Sequence, residues 1–537
     1  MKKFLFSISF IIGFGFFQAQ NTELVFVHFK DKPNKAAFYA NPLSELSQKS
    51  LDRRSNLGIP LNDQDAPIEP TYIQNIQNLG FTVADSSKWL NGVIVNATEA
   101  QIDILEDQSF VDSVESFVVH PGIPFAPENH KNKWENFENM LLTEFDYGIG
   151  AAQIDQINLR QLHQAGFTGT GISIAVIDTG FPTVDTGSAF SRLWTNNLIK
   201  GGYNFVSKNT DIYNLSLNSH GTIVLGVIGG FLNGDFAGAA PDADFYLYAT
   251  ETTAQEIPEE QIYWIEAAEE ADRKGVDVIT TSLGYSTFDD SRYDLTYDDM
   301  NGSVSFIARG AQIAAEKGIF VLSAAGNSGQ DSWHYIISPA DNAKVFTIGA
   351  VDSAGNSSSF SSFGPNSAGV VKPDGSTRGT NTATVFDDFT TFASGTSLAT
   401  PLAAGGVACL LQALPNTMSR ENIKNLLKNT ASLAPNHDDQ MGYGILNFGK
   451  AYNDFLAVNE NPASENFKIY PNPNNGNFSV ESSGEGNIKI LDMSGKLIYT
   501  GKLIKGKTDI SLKLPPGNYL AISEIGRTKV SEKLIIR

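Results

Sequence analysis

Apolar residues in the central part of the chain fall into short unbroken runs separated by longer mixed stretches. Residues 172–177, 244–248, 276–280, 319–322 and 345–350 read as strands, and 220–231, 259–274, 303–317 and 397–414 as helices. A strand that is apolar at nearly every position has to be buried on both faces. Its alternation with helices predicts a parallel sheet covered on both sides. The fold class expected for residues 141–455 is therefore α/β, with ligands outside the carboxyl ends of the strands.

The pattern differs at both ends of the chain. Residues 24–29 and 91–95 read as strands and 98–107 as a helix capped by Thr98, so 20–140 is expected to be a small α+β unit. The proline-bearing stretch 121–133 reads as a linker. After a second linker at 456–466, short alternating segments at 477–481, 487–492, 496–500, 508–512, 518–523 and 529–536, with turns at 493–495 and 515–517, predict a C-terminal β-sandwich over 467–537. At the start, Lys2 and Lys3 precede an apolar stretch over 4–17. That is the arrangement of an export signal, here 1–19, and the stretch is short for a bilayer; an N-terminal membrane anchor is the alternative. No later run reads as a transmembrane segment.

Bulk properties narrow the classes. The 537 residues call for two or three domains, and 41% hydrophobic with 18% charged residues is ordinary globular composition. A formal charge of −21 argues against nucleic acid as a partner. The single cysteine, Cys409, allows no intramolecular disulfide and sits in an apolar run, where it reads as a core residue.

Four stretches carry candidate chemistry: Asp178-Thr179-Gly180, His220-Gly221-Thr222, Asn327 after Ala324-Ala325-Gly326, and Gly395-Thr396-Ser397. An alcohol is a weak nucleophile and needs a base; the base needs a partner that holds its tautomer, and the oxyanion needs donors already in place. Carboxylate, imidazole, amide and hydroxyl supply these parts. Each stretch stands at the end of a predicted strand or the start of a predicted helix. Ser397 opens a helix whose N-terminus favours developing negative charge, and Pro401 is compatible with a first-turn position, where a missing N–H costs little. Gly221 is expected to leave room for a substrate. Taken singly, each residue is also a common turn former or helix cap.

With Gly238-Ala239-Ala240-Pro241, Ser282-Leu283-Gly284 and Gly395–Pro401 added, residues 150–455 resemble the subtilisin-like serine proteases. The methionine usual in that family after the serine is Leu398 here, a volume-conserving change. The related family with glutamate for the imidazole fits less well, since His220 and Asn327 are intact. The resemblance implies a secreted serine endopeptidase acting on protein or peptide substrates through Asp178, His220 and Ser397, with Asn327 at the oxyanion. It implies that Ser282, Leu283 and Gly284 pair with the substrate backbone. Ala324, Ala325 and Gly326 would line the far side of the specificity pocket and leave it open to apolar side chains. A base that must be neutral implies neutral-to-alkaline activity. No cofactor is needed for this chemistry. Asp289, Asp290, Asp294, Asp298 and Asp299, in an insertion over 284–303, could hold a structural Ca²⁺, but no recognised ligand spacing is present, so metal residues stay unassigned.

By position, 20–140 resembles the inhibitory propeptide of that family, removed by self-cleavage before Tyr147; a permanent N-terminal domain is the alternative. Ser87-Lys88-Trp89-Leu90-Asn91 is distinctive there without an evident chemistry. Tyr470-Pro471-Asn472-Pro473 and the closing residues 530–537 resemble the sorting domain of the type IX secretion route of Bacteroidetes-type bacteria. This implies the secretion machinery as a partner and passage through the periplasm to the medium or cell surface; a carbohydrate- or protein-binding module is the alternative. A monomer is expected. A catalytically silent surface adhesin on the same fold, and an esterase or amidase using the same triad, remain as competing functions.

Overall fold

A computed structural model describes residues 22–120, 147–252, 254–459, 467–492, 496–525 and 528–537. The signal at 1–19, the linker at 121–133, the boundary at 140/141 and the turn at 493–495 lie outside the described residues. The chain divides into two compact units, Met1–Ala451 and Tyr452–Arg537. The N-terminal α+β region is thus part of the same unit as the central domain. The second linker, expected from 456, begins inside the helix Phe448–Asn459.

The central domain is built on a seven-stranded sheet in which every pairing is parallel. Its order across the sheet is Gly375–Arg378, Phe346–Val351, Phe320–Ala324, Val278–Thr281, Ser173–Asp178, Asp244–Ala249 and Ile199–Asn204. All six residues of Ser173–Asp178 are buried, as the unbroken apolar run required. This strand comes first in the sheet. The next two lie on one side of it and the rest on the other, so the winding direction reverses at its carboxyl end, where Asp178 stands. The edge strand Ile199–Asn204, with two glycines in its middle, and the strand Gly375–Arg378 were not evident from apolar runs.

The helix Thr396–Ala413 is long and apolar enough to cross a membrane by length and composition, but most of it is buried in this domain. Its apolarity belongs to the core. Pro401 lies beyond its first turn. It removes the N–H that would bond to the carbonyl of Ser397, and that carbonyl instead accepts Ser282 Oγ at 2.9 Å. The expected first-turn position is thus corrected, and the missing donor ties the Ser397 helix to 282–284.

The N-terminal region forms a four-stranded antiparallel sheet in the order Asp85–Ser87, Gly92–Ala97, Glu23–Phe29, Val111–Ser116. Strand alternation divides its apolar residues. Val25, Val27 and Phe29 pack with Ile76 and Leu105 of the region's own helices Pro70–Asn78 and Glu99–Glu106. Leu24, Phe26 and Ile94 face Trp264, Ile265 and Phe306, on the central-domain helices Glu260–Lys274 and Phe306–Glu316. A second contact comes from the helix Gln48–Leu57. Arg53 pairs with Asp272 and donates to the carbonyls of Val276 and Lys317, while Arg54 reaches Asp272 at 2.7 Å and Asp65 at 2.8 Å. Lys317 closes the network on Asp65 at 3.0 Å.

Tyr452–Arg537 holds a three-stranded and a four-stranded antiparallel sheet with one shared apolar core, in which Phe467, Phe478 and Ile510 meet Ile488, Ile490 and Leu534. This is the predicted sandwich.

Candidate active site

Asp178 ends its strand with its side chain fully buried. Its Oδ1 accepts Thr179 N–H at 2.8 Å and His220 Nδ1 at 2.7 Å. The proton on Nδ1 leaves Nε2 as the lone-pair nitrogen, the tautomer a base requires. No donor among the described residues reaches Asp178 Oδ2, so its charge is directed mainly at the imidazole and Thr179. His220 begins the helix His220–Gly229, and Asn218 Oδ1 accepts its backbone N–H at 2.8 Å.

Gly221 has a different reason from the one expected. A Cβ there would stand 2.4 Å from the carbonyl oxygen of Gly180 and 3.0 Å from Asp178 Cβ. The glycine lets the His220 helix approach the Asp178 strand; it does not make room for a substrate. Thr222 fixes the same turn by donating Oγ1 to the carbonyl of Pro182 at 2.7 Å.

Ser397 is the second residue of its helix, after Gly395 with φ 148°, a conformation that glycine adopts readily. The two helices that carry His220 and Ser397 pack against each other. Asn327 Oδ1 accepts the backbone N–H of Thr396 at 2.9 Å and its Oγ1 at 3.0 Å. Because the oxygen is taken by an N–H, the amide nitrogen must face the other way. Asn327 Nδ2 and Ser397 Oγ lie 3.5 and 2.7 Å from the point a Cβ on Gly395 would occupy, so glycine keeps the space between them open.

Ser282 is tied to Ser397 through the hydrogen bond described above, and Gly326 N–H donates to Thr396 Oγ1 at 3.2 Å. Segments 282–284 and 324–326 thus flank the start of the Ser397 helix. Between them lies Ile337, which the sequence reading did not identify: its carbons fall within 2.8 Å of a Cβ position on Gly284. Ile337 thus occupies part of the space that Gly284 and Gly326 leave between the two segments. Cys409 is fully buried, and burial pushes its thiol well up, in keeping with a core role.

Three of the five aspartates of the insertion are engaged in local structure or in holding the N-terminal region. Asp290 pairs with Arg292, Asp294 accepts Phe288 N–H at 2.7 Å, and Asp299 pairs with His120 at 2.6 Å. Tyr293 Oη accepts Leu24 N–H at 3.0 Å. Among the described residues the carboxylates that gather within 4.8 Å of one another are instead Glu251, Glu256 and Glu260. Burial, with Glu256 nearby, raises Glu260 to about 7.

Ser87–Asn91 also acquires a role. Glu269, whose carboxyl burial pushes up, accepts Ser87 Oγ at 2.6 Å, Trp89 N–H at 3.0 Å and Lys88 N–H at 3.2 Å. The indole of Trp89 is buried in the apolar contact with the central domain. The stretch is a docking loop, and only its long-range partner makes that visible.

Residues 169–444 match the subtilase family (peptidase S8), residues 24–134 the peptidase S8 propeptide domain of Bacteroidota, and residues 468–537 the secretion system C-terminal sorting domain. Subtilisin DY of Bacillus licheniformis is 31% identical over 300 residues, covering 56% of this chain and 94% of that protein. Serine protease AprX of Bacillus subtilis is 32% identical over 313 residues, covering 52% of this chain and 66% of that protein. Among solved structures, the epidermin leader peptide processing serine protease of Staphylococcus aureus has a TM-score of 0.54 at 18% identity, covering 80% of this chain and 98% of that one, a likeness of fold.

Proposed function

Because the chain belongs to the subtilase family of serine peptidases, we propose that it is a secreted endopeptidase in which Ser397 attacks the peptide carbonyl, His220 is the base and Asp178 its orienting partner. The observation that carries this reading is the Asp178–His220 hydrogen bond at 2.7 Å, which makes Nδ1 the donor and so Nε2 the basic nitrogen of His220. The N-terminal region is a peptidase S8 propeptide, and the sorting domain indicates export by the type IX route to the medium or the cell surface.

The proposed reaction is acyl transfer in two halves. Ser397 Oγ bonds to the carbonyl carbon as its proton passes to His220 Nε2. The carbonyl electrons move to oxygen, where Asn327 Nδ2 and the first-turn N–H of Ser397, which a helix leaves without an intrahelical acceptor, donate to the oxyanion. Collapse breaks the C–N bond, and the amine leaves with the proton from His220. Water then repeats the sequence on the acyl-enzyme, with His220 again as base. Asp178, buried and held by Thr179, stabilises the imidazolium at each stage. Segment 282–284 would bind the substrate as an added strand, through main-chain hydrogen bonds.

Covalent labelling of Ser397 by a fluorophosphonate tests the assignment, with labelling lost in a His220→Ala variant. A processed protein that resists the reagent would point to the silent adhesin. Asn327→Ala is expected to lower kcat by roughly 100- to 1,000-fold with little change in KM, since the donor acts on charge that exists only in the transition state. Steady-state kinetics on a peptide amide separates the two constants.

A further inference from the structure

Segments 282–284 and 324–326 leave the sheet from adjacent parallel strands, Thr281 standing opposite Ser323. Segment 336–338 bridges the gap between them. Ile337 N–H donates to the carbonyl of Ala325 at 3.3 Å, and Ser338 exchanges backbone hydrogen bonds with Tyr285 at 2.8 and 3.1 Å. With one residue held to each wall, the Ile337 side chain stands between two glycines. Its Cδ1 is 2.7 Å from the position a Cβ would take on Gly284 and 3.3 Å from that on Gly326. Ile337 keeps partial exposure, so it lines the slot.

The slot opens beside the nucleophile. Ser282, two residues before Gly284, is bonded to the carbonyl of Ser397, and Asn327 directly follows Gly326. Its occupant is therefore the substrate residue whose carbonyl is attacked. A slot with two glycine faces would admit a long or flat side chain; here a branched four-carbon side chain already fills part of it. Forcing further carbons into packed space is opposed by strain, and a pocket short by one methylene discriminates by roughly 10- to 200-fold.

We propose that Ile337 closes the specificity pocket, so that the enzyme cleaves after small residues such as glycine, alanine and serine. This rests on the reading of Ser397 as nucleophile, and it replaces the open pocket with broad apolar preference expected from 324–326.

The test uses the processed enzyme and chromogenic tetrapeptide amides that differ only in the residue at the scissile carbonyl: alanine, leucine or phenylalanine. The wild type should show kcat/KM for alanine roughly 10- to 100-fold above leucine and phenylalanine. Ile337→Gly should raise phenylalanine cleavage at least about ten-fold and reverse the order. Ile337→Val, which removes a single methyl, should shift the ratio the same way by less and serves if the glycine variant does not accumulate. Phenylalanine cleaved by the wild type as well as alanine, or a ratio unmoved in the folded variants, overturns the proposal. So does an enzyme that a fluorophosphonate labels at Ser397 but that cleaves no alanine substrate. Absence of both labelling and cleavage removes the nucleophile assignment, and the proposal with it.

Discussion

Ser397→Ala is expected to lower kcat on a peptide amide by about a million-fold, the scale measured for the triad of subtilisin, and to leave the precursor uncut. The substitution deletes the atom that forms the acyl bond, and no neighbouring hydroxyl replaces it: Thr396 Oγ1 is already engaged with Asn327 and Gly326. His220→Ala should cost about as much, because an alcohol without a base does not attack at neutral pH. The double variant should be no worse than either single one, because the groups act as a unit. What remains, roughly 1,000- to 10,000-fold over water, would come from Asn327, the helix N-terminus and substrate positioning. Immunoblotting of the precursor and single-turnover kinetics measure the two effects. A Ser397→Ala chain that matures at the wild-type rate when expressed alone would remove self-cleavage, and wild-type kcat in that variant would remove the nucleophile.

The residues proposed for catalysis could be picked out in the sequence because each is introduced by a local element with its own signature. Asp178 ends an apolar strand run, His220 and Ser397 begin apolar helices, and Asn327 follows a Gly-containing turn. What escaped detection depends on residues distant in sequence. Ser87–Asn91 carries no chemistry until Glu269 is placed under its N–H groups. Pro401 looked like a first-turn residue, and its effect on Ser397 appears only when Ser282 supplies the substitute donor. Ile337 lies in no motif. Its effect on Gly284 and Gly326 follows from a backbone bridge to Ala325 and a pairing of Ser338 with Tyr285, neither of which has a sequence period. The helix Gln48–Leu57 has the same character. Its arginines resemble a solvated face until Asp272 and Lys317 are found opposite.

That helix extends the N-terminal region beyond the sheet-on-helix contact. The sheet with its Ser87–Asn91 loop covers the outer faces of the helices Glu260–Lys274 and Phe306–Glu316. The helix Gln48–Leu57 reaches the carbonyls of Val276 and Lys317, just past the C-terminal ends of the same two helices, where positive charge is favoured. Lys49 adds a contact with Asp277 at 2.8 Å, next to the amino end of the strand Val278–Thr281 and so at the opposite end of the sheet from Asp178. A propeptide that only plugged the cleft would need no grip there. The observed contacts instead span two central helices, as a folding template would require.

Asp272→Asn should therefore destabilise the uncut precursor by about 3–5 kcal/mol and cost the processed enzyme nothing. In the precursor the Asp272 side chain is fully buried between Arg53 and Arg54, themselves nearly inaccessible. Burial alone would push its carboxyl up, but the two guanidinium groups outweigh that and hold it below the usual carboxylate range. An amide keeps the shape but leaves the two buried cations one carboxylate short, and it is the stranded charge that makes breaking such a network costly. Once the propeptide departs, both arginines leave with it. Asp272 then stands without the partners that justified its charge, and its neutral isostere should be as stable or slightly more so. Urea unfolding of the Ser397→Ala precursor and of the processed enzyme, each with and without Asp272→Asn, gives the two differences. The pH dependence has a definite sign: the stability contributed by this depressed carboxyl is present above the ordinary aspartate range and is lost as pH falls through the lowered value. Precursor stability should therefore decline more steeply in acid with Asp272 than with Asn. Equal destabilisation of precursor and processed enzyme would show that Asp272 serves the peptidase fold alone, and the template role of the helix Gln48–Leu57 would fall with it.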